Sequence, residues 1–189
     1  MSTIKIENLS FSYHGYVKPI FENVSFSFET NWKIGLIGRN GIGKSTLFKL
    51  LLNQETYQGK ISKDVEFIKF PPNIINTSKS GIELYKELMP DGEEWKLFRE
   101  LSLLNVDENL VYREFETLSK GEQTKILLAI LFTREDGFLL IDEPTNHLDM
   151  HGRKIVSEYL KNKKGFLLIS HDRDFLDGCI NHVISINRN

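Results

Sequence analysis

A glycine-rich segment carries the strongest chemical signal in the sequence. Residues 38–46 read GRNGIGKST and fit the pattern G-x-x-x-x-G-K-[ST], in which glycines let backbone N–H groups turn inward onto a phosphate. An apolar run precedes the segment and leucines at helical spacing follow it, so the order is strand, turn, helix. An ordinary glycine-rich turn would not need these flanking elements. The pattern therefore predicts that the chain binds a nucleoside triphosphate.

The positions of this loop have separate expected roles. Lys44 would neutralise the β- and γ-phosphate oxygens, and the hydroxyl of Ser45 would reach Mg²⁺. The N-terminus of the following helix favours the same anion. The loop residues that we expect to contact the nucleotide are Gly38, Asn40, Gly41, Gly43, Lys44, Ser45 and Thr46.

Two carboxylates and a histidine follow two further apolar runs. Asp142 and Glu143 end the run FLLIDE, and His171 ends the run FLLISH. Open α/β sheets bind their ligands at the carboxyl ends of the strands, so these side chains should meet near the phosphate loop. Asp142 would hold Mg²⁺ through water, Glu143 would polarise the attacking water, and His171 would contact the γ-phosphate. Each feature alone is commonly structural, and the phosphate loop in the same chain favours the catalytic interpretation.

The elements that must position these residues form an α/β pattern. Short apolar runs at 34–37, 138–141 and 166–169 lack alternation, which is typical of parallel strands buried on both faces. A helix over 152–160 would connect the last two runs. Alternating apolar residues between 4 and 28 predict an antiparallel sheet edge, broken by a loop at 14–19.

A helical insert is expected inside this pattern. After a strand-like run at 60–70, two prolines stop regular structure, and the sequence turns helical from 82 to 118. Asp91 with Glu94 predicts a capping box at the start of one helix. The buried face of that helix would carry Trp95, Phe98, Leu101 and Leu104.

The composition restricts the class of protein. The chain has 189 residues, 40% of them hydrophobic and 26% charged, which is typical of one folded globular domain. A formal net charge of −2 excludes a uniformly basic nucleic-acid binder. The single Cys179 excludes an intramolecular disulfide and favours a reducing, cytoplasmic location. No apolar run approaches the roughly 18 residues of a membrane span and no secretion signal is visible, so we expect no direct membrane insertion.

Residues 118–123, LSKGEQ, resemble the LSGGQ signature of ATP-binding cassette (ABC) ATPases. The resemblance covers essentially the whole chain, with the motifs in the order of the family. It implies one α/β nucleotide-binding domain over 1–189: a P-loop NTPase core with a mostly parallel sheet, an N-terminal antiparallel β subdomain and a small helical subdomain at about 74–132. It also implies ATP and Mg²⁺ as ligands, hydrolysis of ATP to ADP and phosphate, Asp149 as the D-loop residue and His171 as the switch histidine.

The same resemblance implies an aromatic side chain that stacks on adenine. Tyr13 stands at the corresponding place in the sequence. Phe11 and Tyr16 are nearby aromatic alternatives, and Tyr13 would otherwise serve only to pack the sheet.

The run EPTNHLD at 143–149 narrows the resemblance to the ABC-F branch. Members of this branch are cytoplasmic, carry two cassettes and no membrane domain, and typically act on the ribosome. Residues 31–33, NWK, together with GRNG at 38–41, are further similar to antibiotic-resistance members that protect ribosomes. The resemblance therefore implies a ribosome or rRNA partner and a role in ribosome protection.

Two positions depart from the family pattern. Where the family usually has a glutamine after the strand at 65–70, this chain reads FPPN at 70–73, which puts one contact to Mg²⁺ or water in doubt. Lys120 replaces a signature glycine. A lysine there either adds positive charge near the γ-phosphate of a partner or points to solvent.

The resemblance also implies an incomplete active site. In this family the signature of one cassette faces the phosphate loop of another, so Ser119 and Gly121 would complete a partner's site. That partner would be a second cassette of the same full-length chain or a second copy in a head-to-tail homodimer. We expect the N-terminal half of a longer two-cassette protein, with weak ATPase activity as an isolated domain. The alternatives are the nucleotide-binding subunit of an ABC membrane transporter and a nucleotide-gated binding module with weak turnover.

Overall fold

The computed structural model describes residues 2–15 and 18–187, and Tyr16 lies outside these residues together with part of the loop expected at 14–19. The strands within the described residues are β1 (Thr3–Phe11), β2 (Phe21–Glu29), β3 (Lys33–Ile37), β4 (Gln58–Ser62), β5 (Glu66–Phe70), β6 (Gly137–Asp142), β7 (Phe166–Ile169) and β8 (His182–Ser185). The α-helices are α1 (Lys44–Leu51), α2 (Gly81–Leu88), α3 (Glu94–Leu103), α4 (Lys120–Phe132), α5 (Met150–Lys161) and α6 (Arg173–Cys179). Two short 3₁₀ helices, Glu108–Tyr112 and Phe115–Thr117, precede α4.

The N-terminal strands form an antiparallel sheet in the order β2-β1-β4. Ile4, Ile6 and Leu9 of β1 are buried, whereas Lys5 and Glu7 between them are exposed. This alternation is the period of a strand with one face toward the core. The antiparallel arrangement expected between residues 4 and 28 is confirmed.

The second sheet is parallel, in the order β5-β6-β7-β3-β8. The residues of β7 and most of those of β6 are buried on both faces, as their unbroken apolar runs predict. α5 connects these two strands and begins and ends close to the predicted 152–160. The carboxyl ends of β3 and β6 lie at one edge of the sheet. The phosphate loop follows β3, and Asp142 is the last residue of β6.

The prediction of one strand-like run over 60–70 is only partly right. Residues 58–62 form β4 in the antiparallel sheet, and residues 66–70 form β5 at the edge of the parallel sheet. Both segments are strand-like, so local composition does not show that the chain changes sheets between them. Long-range pairing with β1 and with β6 decides it.

The helical insert follows β5, but one of its predicted helix starts is wrong. Asp91 does not cap α3: the helix follows Glu93, whose side chain makes no capping hydrogen bond. Asp91 instead lies in the turn closed by the bond from Gly92 N–H to the Met89 carbonyl, outside the helix. Two capping boxes do occur, Ser80 with Glu83 before α2 and Ser119 with Glu122 before α4.

The buried face of α3 also differs from the prediction at one position. Leu101 and Leu104 are buried and Phe98 packs against the core, but Trp95 is 55% exposed. Leu97 takes the buried place, because it stands four residues before Leu101 and therefore on the same side of the helix.

The parallel sheet separates two hydrophobic clusters. Phe138 and Leu140 pack on one side with α1 and the antiparallel sheet, whereas Leu139 and Ile141 pack on the other side with the insert, α5 and α6. Asp142 follows this alternation and points to the side of α1. No helix of the described residues is both long enough and apolar enough to cross a lipid bilayer.

A buried carboxylate joins the insert to the rest of the fold. Glu100 of α3 is fully buried, and it accepts hydrogen bonds from the Tyr159 hydroxyl at 2.6 Å and from Arg99 at 3.0 Å. The ammonium of Lys163 also donates to Glu100 and lies 4.3 Å from the centre of the Tyr159 ring. Because Tyr159 belongs to α5, this ionic cluster fixes α3 against the parallel sheet layer.

Candidate nucleotide-binding and catalytic site

The phosphate loop connects β3 to α1 and depends on glycines. Gly41 has φ +74° and Gly43 has φ +123°, in the left-handed region that other residues rarely adopt. A Cβ on Gly43 would also lie 2.7 Å from the side chain of Ile20. The loop can therefore wind tightly enough for α1 to begin at Lys44, with its N-terminal N–H groups directed into the site.

Lys44 lies inside the curve of the loop. Its Nζ donates to the carbonyl oxygens of Gly38 at 2.9 Å and Arg39 at 3.3 Å, and the residue is buried. Ser45, next in the chain, is exposed to the cleft. The ammonium is thereby held beside the space that an anion at the start of α1 would enter.

The phosphate loop and the ends of β6 and β7 enclose a cleft of about 290 Å³. Its lining residues are Asn40, Gly41, Gly43, Lys44, Ser45, Thr46, Asp142, Glu143, Ile169 and His171. Gly38 lies beside it and lines the adjoining cleft of about 610 Å³. The structure therefore brings together the loop, the two carboxylates and the histidine that the sequence predicted to be neighbours.

Glu143 and His171 contact each other across the carboxyl ends of β6 and β7. His171 Nε2 lies 3.3 Å from Glu143 Oε1, and the His171 backbone N–H donates to Glu143 Oε2 at 3.4 Å. The side-chain contact lacks hydrogen-bond alignment, so Oε1 is buried without a donor from the described residues. A buried oxygen of this kind is costly, and a water or ligand donor would relieve the cost.

Burial raises the pKa of both carboxylates. For Asp142, desolvation is opposed by the positive charges of Lys69 and Lys44 and by His171. For Glu143, desolvation is opposed mainly by His171. Two neighbouring acids with raised pKa in a cleft form a pattern typical of functional sites.

The donor set is compatible with Mg²⁺ bound together with a nucleotide. In the part of the chain that the structure describes, no three side chains of His, Cys, Asp or Glu cluster into a metal site. Mg²⁺ is usually held by one or two protein oxygens plus substrate phosphates and water, so a complete protein cage is not required. Ser45 and Asp142 both line the cleft and offer such oxygens.

Comparison with known proteins identifies the family. The family described as "ABC transporter" matches residues 21–146, about two thirds of the chain. The chain belongs to this family. We refer to it below as the cassette.

Its relatives include several ABC-F proteins. Ribosome protection protein VmlR of Bacillus subtilis (strain 168) is 31% identical over 184 residues, which cover 91% of this chain and 32% of VmlR. ABC transporter F family member 5 of Arabidopsis thaliana is 27% identical over 98% of the cassette and 28% of its own length. ATP-binding protein Uup of Buchnera aphidicola subsp. Schizaphis graminum (strain Sg) is 30% identical over 94% of the cassette and 31% of its own length. The cassette thus spans about a third of the length of these relatives or less.

Solved structures show the same fold. The dimeric post-hydrolysis state of the ATP-binding cassette MJ0796 bound to ADP and Pi has a TM-score of 0.81 with 16% identity, covering 97% of this chain and 94% of that one. A second dimeric structure of MJ0796, described as a bacterial ABC transporter cassette, has a TM-score of 0.81 with 18% identity over the same shares. The expected α/β cassette, with its parallel core, antiparallel sheet and helical insert, is therefore confirmed.

Tyr13 lies just beyond β1, beside the start of α1. Its hydroxyl is 3.4 Å from Thr46 Oγ1, its ring meets Phe11 edge to face at 4.8 Å, and Lys49 Nζ is 5.7 Å from the ring centre. Phe11 is buried in the sheet, so of these two rings Tyr13 is the one that reaches the side of the cleft. Its role as the adenine platform remains a prediction.

The signature residues do not line the cassette's own cleft. Ser119 caps α4, accepting from Glu122 N–H at 3.2 Å, and the start of α4 packs against the segment after Glu143, where a Cβ on Gly121 would lie 3.3 Å from the His147 carbonyl. Lys120 is exposed, and its Nζ donates to Gln123 Oε1 at 3.0 Å. Asp149 caps α5 by accepting from Gly152 N–H at 2.7 Å. The separation of Ser119 and Gly121 from Lys44 is what a site shared between two cassettes requires.

No sequence motif includes Lys69. It stands on β5, which is otherwise an apolar strand at this end, and it is half-buried. The available signal was a lysine in the same alternation phase as the buried Phe67. Only the pairing of β5 with β6 brings it near Asp142.

Proposed function

We propose that the cassette binds ATP with Mg²⁺ in the cleft at the phosphate loop and hydrolyses it when a second cassette completes the site. The supporting observation is the convergence of Lys44, Asp142, Glu143 and His171 on one cleft at the N-terminus of α1. The membership of the chain in an ATPase family supports the same activity.

The side chains of the cleft divide the work of phosphoryl transfer. Lys44 and the N–H groups at the start of α1 would bind the β- and γ-phosphates. Ser45 and Asp142 would hold Mg²⁺, which would supply positive charge at the phosphates. Phosphoryl transfer needs positioning and charge stabilisation more than covalent chemistry, and these groups supply both.

Glu143 acts on the attacking water. Its buried Oε1 has no donor from the described residues, so it is available to accept the proton of a water in line with the γ-phosphate. The raised pKa brings this carboxylate closer to the range of an effective general base. His171 donates its backbone N–H to Glu143, and its side chain lines the cleft, where it would contact the γ-phosphate.

The second cassette supplies the missing half of the site. Ser119 and Gly121 lie outside the cleft of their own chain, and solved structures similar in fold include dimers of cassettes. A site of this kind is built from the phosphate loop of one cassette and the signature of another, in the same full-length chain or in a head-to-tail homodimer.

We propose the ribosome as the target of the whole protein, in a cytoplasmic role of ribosome protection. The support is similarity: one relative is named a ribosome protection protein, and another is an ABC-F family member. ATP-driven closure of two cassettes would grip the ribosome, and hydrolysis would release it.

Substitution at the phosphate loop tests nucleotide binding. Lys44→Ala should abolish ATP binding measured by calorimetry, because it removes the cation at the phosphates. Lys60→Ala, at an exposed position of β4 in the other sheet, is the matched control and should bind like the parent. Unchanged affinity in Lys44→Ala would contradict the assignment of the loop.

Co-sedimentation tests the target. The full-length parent protein should pellet with ribosomes in ATP and not in ADP. Absence of ribosome binding, together with nucleotide-dependent association with a membrane protein, would instead favour the transporter subunit.

A further inference from the structure

We propose that Lys69 is a positioning residue of the nucleotide site, whose ammonium shares with Mg²⁺ the neutralisation of Asp142 and of the terminal phosphate. This inference rests on the proposed function of the cleft and adds a residue to it. None of the motifs in the sequence contains Lys69.

The pairing of β5 with β6 places Lys69 on the same face as Asp142. Lys69 pairs with Leu140, and Asp142 follows two residues later on β6. Phe67, Leu140 and α1 share one hydrophobic cluster, so this alternation phase faces the phosphate loop. A strand spacing of about 4.8 Å and a rise of about 3.3 Å per residue put the two Cα atoms about 8 Å apart, within reach of a lysine and an aspartate side chain.

The ammonium of Lys69 is not used elsewhere. Lys69 is half-buried, and among the residues that the structure describes no carboxylate, Asp142 included, lies within ion-pair distance of its ammonium. The other charged residue of β5, Glu66, faces the opposite side of the sheet, where it forms an ion pair with Arg134. Lys69 is thus the positively charged residue of β5 on the face of the sheet that carries the nucleotide cleft.

The electrostatics of Asp142 agree with this placement. Burial raises the pKa of Asp142, and the opposing effect of positive charge comes first from Lys69, ahead of Lys44 and His171. The positive charge of Lys69 thus favours the ionised form of the carboxylate expected to hold Mg²⁺.

The chain that leaves β5 offers little else to the cleft. Pro71 and Pro72 follow Phe70 directly, and proline has neither a backbone N–H nor a polar side chain. The strand therefore contributes a cation just before its end, while its continuation contributes no amide donor at these two positions.

A fixed cation at this place has a consequence for metal dependence. A triphosphate is strongly negative, and Asp142 and Glu143 add negative charge to the cleft. Lys69 reduces this repulsion without metal, while it repels Mg²⁺ from Asp142. Binding of ATP should therefore depend less on Mg²⁺ in the parent chain than in a variant that lacks the charge.

Calorimetric ATP binding to the 189-residue chain, in excess EDTA and in excess Mg²⁺, tests the proposal. Lys69→Gln should weaken binding about tenfold in EDTA and by about threefold or less in Mg²⁺, because the metal then supplies the counter-charge. Lys69→Arg should keep the affinity of the parent in both conditions. Lys60→Gln, on exposed β4, removes the same charge far from the site and is the matched control.

The outcomes separate this proposal from the proposed function. If Lys69→Gln binds like the parent in EDTA, or loses equal affinity with and without Mg²⁺, the role of Lys69 is refuted while the nucleotide site stands. If the parent itself binds no ATP in Mg²⁺, or if Lys44→Ala binds normally, both proposals fall.

Discussion

At the scale of single residues, Glu143 has two features that cost folding free energy. Its backbone has φ +48°, unusual for a residue other than glycine, and its Oε1 is buried without a hydrogen-bond donor from the described residues. Strain and an unpaired buried oxygen both cost folding free energy. Such costs commonly mark residues kept for function.

The first consequence concerns hydrolysis. Glu143→Gln keeps the size of the side chain and removes the base, so ATP should still bind while turnover in the two-cassette parent falls about 10²-fold or more. Phosphate release and ribosome retention in ATP are the measurements, and the variant should stay on the ribosome longer than the parent protein. Near-normal phosphate release with equal retention would mean that Glu143 is not the base.

The second consequence concerns stability against pH. Burial raises the pKa of Glu143 above its ordinary value of 4.5, so the ionised carboxylate destabilises the fold at pH values above the raised pKa. Glu143→Gln should therefore unfold at higher denaturant concentration than the parent at neutral pH. This advantage should shrink as pH falls through the raised pKa toward 4.5, because the parent's carboxyl becomes neutral in the folded state as well.

Chemical denaturation at a series of pH values measures this effect. Glu22→Gln, an exposed carboxylate on β2, is the control and should show no comparable change. An advantage of Glu143→Gln that stays constant across this pH range would show that ionisation of Glu143 is not its origin.

At the scale of elements, the ionic cluster around Glu100 determines how the insert sits on the core. Glu100 on α3 meets Tyr159 on α5 and Lys163 just after it, while α4, which carries the signature at its start, packs next to α3. The cluster thus connects α3, the neighbour of the signature helix α4, to α5, which packs on the parallel sheet that carries the proposed site.

Removing one member of the cluster should be costly. Lys163→Met leaves the buried Glu100 with only the exposed Arg99 as a cation and should lower the free energy of unfolding by about 2–3 kcal/mol. Lys164→Met, at the exposed neighbouring position, should change it by less than about 0.5 kcal/mol. The double variant Glu100→Leu with Lys163→Met should recover part of the loss, because no buried charge remains unpaired. Denaturant unfolding distinguishes these cases, and equal stabilities of the two single lysine variants would refute the cluster's role.

At the scale of the whole molecule, the proposed site is divided between two cassettes. The phosphate loop and Glu143 lie at one cleft, whereas Ser119 caps a helix outside it. Activity should therefore depend on association.

The isolated cassette should show weak ATPase activity that rises with its own concentration. Mixing two inactive variants gives a sharper test: Lys44→Ala retains an intact signature, and Gly121→Asp retains an intact phosphate loop. Their mixture should recover turnover, because one complete site forms in each mixed pair. High turnover per chain that is independent of concentration would contradict a shared site.

Local sequence was sufficient for the parts of this cassette that are built from consecutive residues. The phosphate loop at 38–46, the buried runs of β6 and β7, and the crossover helix α5 each depend on backbone preferences and periodicity that a short window contains. The resemblance of the motifs, with the signature at 118–123 among them, to ABC ATPases implied the cassette fold that the comparisons confirm.

Tertiary structure alone decided the features that join distant parts of the chain. The run at 60–70 divides between two sheets, and Glu100 accepts a hydrogen bond from Lys163. The pairing of β5 with β6 places Lys69 on the same face of the sheet as Asp142. In each case the deciding partner stands more than 35 residues away along the chain or in another sheet, so no local pattern contains it. Burial makes these contacts energetically important, because a charge removed from water is costly unless it is paired or neutralised.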